Sequence, residues 1–197
     1  MVYWIVYFAT KLLSFLYFPL RIQGRENIPR TGAFLLACNH VSYLDPMVMG
    51  IATGRRMNFM AKEELFRKPV LGFVLVRLWA FPVKRNTADR GALKESLARL
   101  KRGLPLLMFP EGTRHGAPGE KKIESGIGFL AIKANVPVIP VYIEDSQKVL
   151  PPGAKFLHRH AVKVRYGIPK KFPQDSDYDQ VARQVMESVW VLKSQGF

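Results

Sequence analysis

The stretch AFLLACNHVSYLDPMVMGIAT, residues 33–53, sets the terms for the whole chain. It begins with an unbroken apolar run, AFLLAC, the pattern of a strand buried on both faces. It ends with DPMVMGIAT, which reads as a short helix with Asp45 as N-cap and Pro46 at the first helical position. Between the two lies a polar loop carrying His40, with Asp45 five positions further on. A buried strand followed at once by two titratable groups is the arrangement expected where a strand hands over to a ligand site.

Outward from this unit, strand and helix signals keep alternating. MNFMA (57–61) reads as a strand. Residues 63–79 read as a helix interrupted near Pro69, and AFPVK (80–84) as another strand. The next helix, 87–103, takes Thr87 as its cap, turns Leu93, Leu97 and Leu100 to one face and stops at Gly103. LPLLMFP (104–110) is a strand, 125–135 a helix and VPVIPVYI (136–143) a strand. HAVKVRYG (160–167) alternates as a half-exposed strand should. The chain closes on a helix over 176–194, with Ser176 and Asp179 placed for a capping box. Its apolar face is Tyr178, Val181, Val185, Val189 and Leu192. This alternation predicts an α/β sheet covered by helices on both faces. One domain over 21–197 follows an N-terminal helix over 1–20.

That first helix, MVYWIVYFATKLLSFLYFPL, is almost wholly apolar. Helical spacing puts Tyr3, Tyr7, Thr10, Lys11, Ser14 and Tyr17 on one side, and Trp4, Phe8, Leu12, Phe15 and Leu16 on the other. Tyr and Trp favour the membrane–water interface, and a one-sided helix lies in that plane; a length near the minimum of about 17–20 residues also leaves a spanning helix open, and a core helix is the plain alternative. No basic residue precedes the run and no small-residue cleavage site follows it, unlike a secretory signal. The chain carries 30 Lys and Arg against 15 Asp and Glu, a formal charge of +15. Such an excess attracts phosphate-rich partners, whether anionic membrane, phosphorylated substrate or nucleic acid. The single cysteine, Cys38, excludes an intrachain disulfide framework and a multi-cysteine zinc site.

Three strand ends hold polar residues suited to chemistry: NHVSYLD after AFLLAC, PVKRN at 82–86, and FPEGTR at 109–114. In the first, a carboxylate on Asp45 can accept from one imidazole nitrogen of His40 and fix the tautomer. The other nitrogen then takes a proton from a substrate hydroxyl. The plain alternative is a loop histidine beside a helix cap. In the third, Gly112 permits a sharp turn, Glu111 accepts hydrogen bonds, Thr113 can donate one, and Arg114 offers a fork for phosphate. Lys84 and Arg85 end a second strand, and Lys121 and Lys122 follow the third loop, so cations converge on one rim. Cys38 reads as a small buried apolar residue rather than a nucleophile. His158 and His160 have no Cys, Asp or Glu cluster beside them, which speaks against a metal.

Taken together, these residues resemble the glycerolipid acyltransferases, the 1-acylglycerol-3-phosphate acyltransferase family. NHVSYLDP is similar to the family's His-x4-Asp motif, AFPVKR to its second motif, FPEGTR to its third and VPVIPVYI to its fourth, in the family's order. The resemblance covers the central half of the chain. It implies a mixed, mostly parallel sheet flanked by helices, and acyl transfer from acyl-CoA or acyl-carrier protein to a lysophospholipid hydroxyl, giving phosphatidic acid at a membrane surface. His40 would be the general base and Asp45 its orienting partner. Arg85, with Lys84, and Arg114 would hold the phosphate, while Glu111, Gly112 and Thr113 shape the acceptor site. No cofactor or metal is implied beyond the acyl donor. The expected partners are an anionic membrane surface on the cytoplasmic face, the lysophospholipid and the donor. Another acceptor, such as glycerol 3-phosphate or a different lysolipid, would use the same cations. A basic nucleic-acid-binding module would account for the charge but not for FPEGTR or the aromatic N-terminus, and no RNP-like or helix-turn-helix signature is present.

Overall fold

In a computed structural model that describes residues 1–84, 89–112 and 123–195, the run at 33–38 becomes the central strand of a seven-stranded sheet. The strands are β1 (Leu20–Gln23), β2 (Leu35–Cys38), β3 (Asn58–Lys62), β4 (Ala80–Val83), β5 (Leu106–Met108), β6 (Val138–Glu144) and β7 (Val162–Tyr166), in the spatial order β1-β7-β6-β2-β5-β3-β4. Among the pairings of these seven strands, β6–β7 alone is antiparallel. The helices are α1 (Val2–Tyr17), α2 (Asp45–Thr53), α3 (Glu63–Phe66), α4 (Pro69–Arg77), α5 (Arg90–Lys101), α6 (Gly126–Ala134), α7 (Ser146–Val149) and α8 (Tyr178–Ser194).

The two faces of β2 explain its unbroken apolar sequence. Leu36 and Cys38 pack into the core beneath α2 with Val48, Met49 and Ala52. Leu35 and Ala37 pack into the opposite core beneath α6 and α8 with Leu130, Val185 and Val189. A strand with helices on both sides has no solvent face on which to place polar residues.

Several boundaries differ from those the sequence predicts. The first helix ends at Tyr17 rather than Leu20 because Phe18 precedes Pro19 and leaves the helical region, with φ −139°. Leu20–Gln23 then forms an edge strand where the sequence predicts the end of the helix and its link. This strand pairs with β7 and covers its edge, so β7 is mostly buried instead of half-exposed. Pro69 does divide the 63–79 segment, into α3 and α4. Helix α5 is capped by Asp89, whose carboxylate accepts from the Ala92 N–H at 3.0 Å; Thr87 lies outside the described residues. Helix α8 is capped by Asp177, which accepts from the Gln180 N–H at 2.8 Å, not by Ser176. His160, at the start of the predicted 160–167 strand, precedes β7 rather than lying on it.

Topology decides where the loops meet. Strands β2, β3, β4, β5 and β6 all run in one direction, so their C-terminal ends share one rim of the sheet. That rim gathers His40 from β2, Lys84 from β4, Glu111 from β5 and Ser146 from β6.

Candidate active site

At the end of β2 the chain is held to its neighbour before it turns. The Asn39 side chain donates to the Ile143 carbonyl at 2.9 Å and accepts from the Ile143 N–H at 2.8 Å. This two-point clasp ties β2 to β6 where their ladder ends. The next residue, His40, is only 3% exposed. Its backbone N–H donates to Glu111 Oε2 at 3.2 Å. Its ring stacks on Phe109 with centroids 4.0 Å apart and planes inclined by 21°. Backbone and ring are thus both fixed by residues of the loop after β5.

The imidazole is oriented from α2. His40 Nδ1 and Asp45 Oδ2 are 2.7 Å apart. The same oxygen accepts from the N–H groups of Val41 and Ser42, each at 2.8 Å. Its other oxygen accepts from Ser146 Oγ at 2.5 Å. The sequence pattern predicts Asp45 as the N-cap of this helix. Instead Leu44 occupies that position, and the Asp45 carboxylate points back into the loop, leaving α2 without a side-chain cap. The carboxylate is fully buried. A buried carboxylate is tolerable only with its lone pairs occupied, and four donors meet that demand here. With Nδ1 donating to Asp45, the imidazole lone pair sits on Nε2, the arrangement of a general base.

Gly112 has φ 63°, the left-handed geometry the turn after β5 requires, and its N–H donates to the Phe109 carbonyl at 3.0 Å. Glu111 is buried and accepts from the main chain of His40, so it braces that residue from behind. Lys84 is exposed at the end of β4, where its N–H donates to Asp89 Oδ2 at 2.8 Å. That bond, then the one from Ala92, holds the Asp89 carboxyl below the usual carboxylate range. Arg85, Thr113, Arg114, Lys121 and Lys122 lie outside the described residues. Cys38 is buried, and burial pushes its thiol well up, with the Asp45 and Glu111 carboxylates adding to the effect. Such a thiol is a poor source of thiolate, in keeping with its reading as a core residue. His160 Nε2 lies 3.2 Å from Oδ2 of Asp145, the residue before Ser146.

Sequence reasoning missed three members of this constellation. Asn39 and Phe109 stand inside quoted motifs but carried no assigned role. Ser146 had no signal at all, because its part depends on β6 lying beside β2.

A family model described as Acyltransferase matches residues 19–144, which includes every residue of the site except Ser146. A 1-acyl-sn-glycerol-3-phosphate acyltransferase of Bacillus subtilis is 29% identical over 162 residues, covering 82% of this chain and 78% of that protein. A chloroplastic 1-acyl-sn-glycerol-3-phosphate acyltransferase of Brassica napus is 29% identical over 147 residues, covering 73% of this chain but only 42% of that longer protein. The crystal structure of the 1-acyl-sn-glycerophosphate acyltransferase PlsC from Thermotoga maritima superposes with a TM-score of 0.77 at 27% identity, covering 100% of this chain and 81% of that one.

Proposed function

The chain belongs to the acyltransferase family, and from that premise we propose that it transfers a fatty acyl group from acyl-CoA or acyl-carrier protein to the sn-2 hydroxyl of 1-acylglycerol 3-phosphate, giving phosphatidic acid. The observation that carries this reading is the 2.7 Å contact between His40 Nδ1 and Asp45 Oδ2 at the shared rim of the parallel strands. The names of the Bacillus, Brassica and Thermotoga proteins supply the acceptor.

In this reading His40 Nε2 removes the acceptor hydroxyl proton as the oxygen attacks the thioester carbonyl. The new ester bond forms, the carbon–sulfur bond breaks, and the departing thiolate takes the proton back from the imidazolium. The thioester is already activated, so a base without an acyl-enzyme nucleophile is sufficient. Lys84, Arg85 and Arg114 would neutralise the acceptor phosphate, with Gly112 and Thr113 shaping the turn beside it.

A membrane-bound acceptor requires a surface that meets lipid, and α1 supports that role. Its Thr10 and Ser14 are buried against the protein, while Trp4, Ile5, Phe8, Leu12, Phe15 and Leu16 are exposed. Helix α4, packed beside it, exposes Val70, Phe73 and Val76. The Arg56 guanidinium lies over the rings of Tyr3, Trp4 and Trp79, and Arg77 lies over Phe73. Apolar side chains edged by cations fit an anionic leaflet, here assigned to the cytoplasmic face. At 16 residues α1 is about 24 Å long, short of a hydrocarbon core of about 30 Å. Among the described residues no helix is long and apolar enough to cross.

The test is an acceptor panel. Purified protein is given labelled acyl donor with lysophosphatidate, glycerol 3-phosphate or other lysolipids in anionic vesicles, and products are identified by mass. Phosphatidic acid from lysophosphatidate is expected, with a loss of about 10²–10⁴-fold in His40→Ala. Transfer to none of the acceptors, or a near-normal rate in folded His40→Ala, would overturn the reading.

A further inference from the structure

Asp45 has two oxygens, and only one serves the imidazole. Oδ2 takes His40 and the two loop N–H groups; Oδ1 takes the hydroxyl of Ser146, a residue 101 positions later in the chain. We infer that Ser146 is a positioning residue of the catalytic pair. Its hydroxyl fixes the rotation of the Asp45 carboxylate, so that Oδ2 stays aimed at His40 Nδ1. The inference rests on the proposed acyl transfer.

Three features support it. First, the contact at 2.5 Å falls at the short end for a hydroxyl donating to a carboxylate, in a place where Ser146 and Asp45 are both 0% exposed. Such a bond is stronger than one in water and costly to leave unmade. Second, Ser146 is placed by its neighbours. Asp145 adopts φ 71°, unusual for a side chain other than Gly, and this turns the chain sharply after β6. The Asp145 carboxylate is held by Lys148 Nζ at 2.9 Å and His160 Nε2 at 3.2 Å. The Asn39–Ile143 clasp fixes the strand end just before the turn. Third, the geometry excludes a nucleophile. The Ser146 hydroxyl addresses the carboxylate oxygen turned away from the imidazole, so His40 is not its base.

The test uses the full chain on lysophosphatidate in anionic vesicles, with melting temperature recorded for each variant. Ser146→Ala should lower kcat roughly ten-fold, the scale of a hydrogen bond to a charged group. Acceptor KM should stay within about two-fold, since substrate binding is untouched. Thr and Val are nearly equal in volume, so Ser146→Thr should keep most of the rate and Ser146→Val should lose it. That pair also decides the matter if Ser146→Ala does not fold. In an Asp45→Asn background, with its residual rate measured by labelled donor, Ser146→Ala should cause no further loss, because the two act as one unit. Equal rates in the Thr and Val variants, or a full loss from Ser146→Ala on top of Asp45→Asn, would overturn the inference. A wild-type chain without acyl transfer would instead sink the proposed function itself.

Discussion

Helices α8 and α1 are of similar length and close the two ends of the chain, yet they are amphipathic in opposite senses. Helix α8 buries Val181, Val185, Met186 and Val189 against the sheet and turns Gln180, Arg183, Gln184 and Glu187 outward. Helix α1 buries Thr10 and Ser14 and turns Trp4, Phe8, Leu12 and Phe15 outward. Phe15 is 78% exposed, whereas Val189 is 0% exposed. The hydrophobic effect accounts for α8 without further assumption. Applied to α1 in water it gives the wrong orientation, unless what covers the outer face is not water. Large apolar side chains gathered on one exposed helix face are the usual mark of an interaction surface, which supports the lipid-facing role proposed for α1.

The largest effect should come from placing the same charge on each helix. Val189→Asp buries an unpaired carboxylate in the core, a substitution of the class that costs more than about 4 kcal/mol. Phe8→Asp puts a charge where the side chain is already 60% exposed, and its stability in solution should change by no more than about 0.5 kcal/mol. Denaturant unfolding in vesicle-free buffer measures both. Equal destabilisation would break the comparison, because it would mean that the outer face of α1 is packed in solution.

Next in size is partition onto lipid. Burying two phenylalanine side chains contributes about 1.5–3 kcal/mol each, so Phe8→Asp combined with Phe15→Asp should weaken binding to anionic vesicles at least about 10²-fold. Co-sedimentation across a lipid titration reads this directly. Two exposed positions of α8 serve as controls: Gln184→Asp adds a negative charge and Glu187→Gln removes one, and each should leave binding within a few-fold. If the α1 variants bind vesicles normally, some other surface meets the membrane.

Legibility in the sequence follows the same division between local and non-local causes. The βα alternation could be read because each buried strand and each one-sided helix carries its own periodicity. Pro69 and Pro19 both act on their immediate neighbours, opening α4 and ending α1. The orientation of His40 by Asp45 was legible because five positions separate them. The helix cap that spacing predicts at Asp45 is absent, because nothing in DPMV says that the carboxylate will be claimed by the Val41 and Ser42 amides behind it. Strand β1 was missed for a related reason: LRIQ becomes a strand only because β7 lies alongside it. Likewise the sequence set Thr10 and Ser14, which are buried, apart from Trp4, Phe8, Leu12, Phe15 and Leu16, but it grouped the exposed Lys11 and Tyr17 with the buried pair; which side faces the protein depends on α2 and α4, against which the helix packs.

The smallest effect concerns how the two helices begin. Helix α1 has no side-chain cap at Met1 and no acidic residue in its first turn. Helix α8 has Asp177, whose Oδ1 accepts from the Gln180 N–H, with Asp179 in the first turn. A capped start suits a helix that must be stable in water from its first residue; it matters less where packing or lipid orders the helix. Asp177→Ala should cost about 1 kcal/mol, a fall in melting temperature of about 2–4 °C for a chain of this size. Asp177→Asn should recover most of it, since Asn caps equally well. Ser176→Ala separates this assignment from the capping box that spacing alone suggested. Its hydroxyl is one residue too early to be the cap, and its loss should move the melting temperature by less than about 1 °C. A larger fall in Ser176→Ala than in Asp177→Ala would shift the start of α8 by one residue. It would also remove the contrast between a helix that carries its own cap and one that does not.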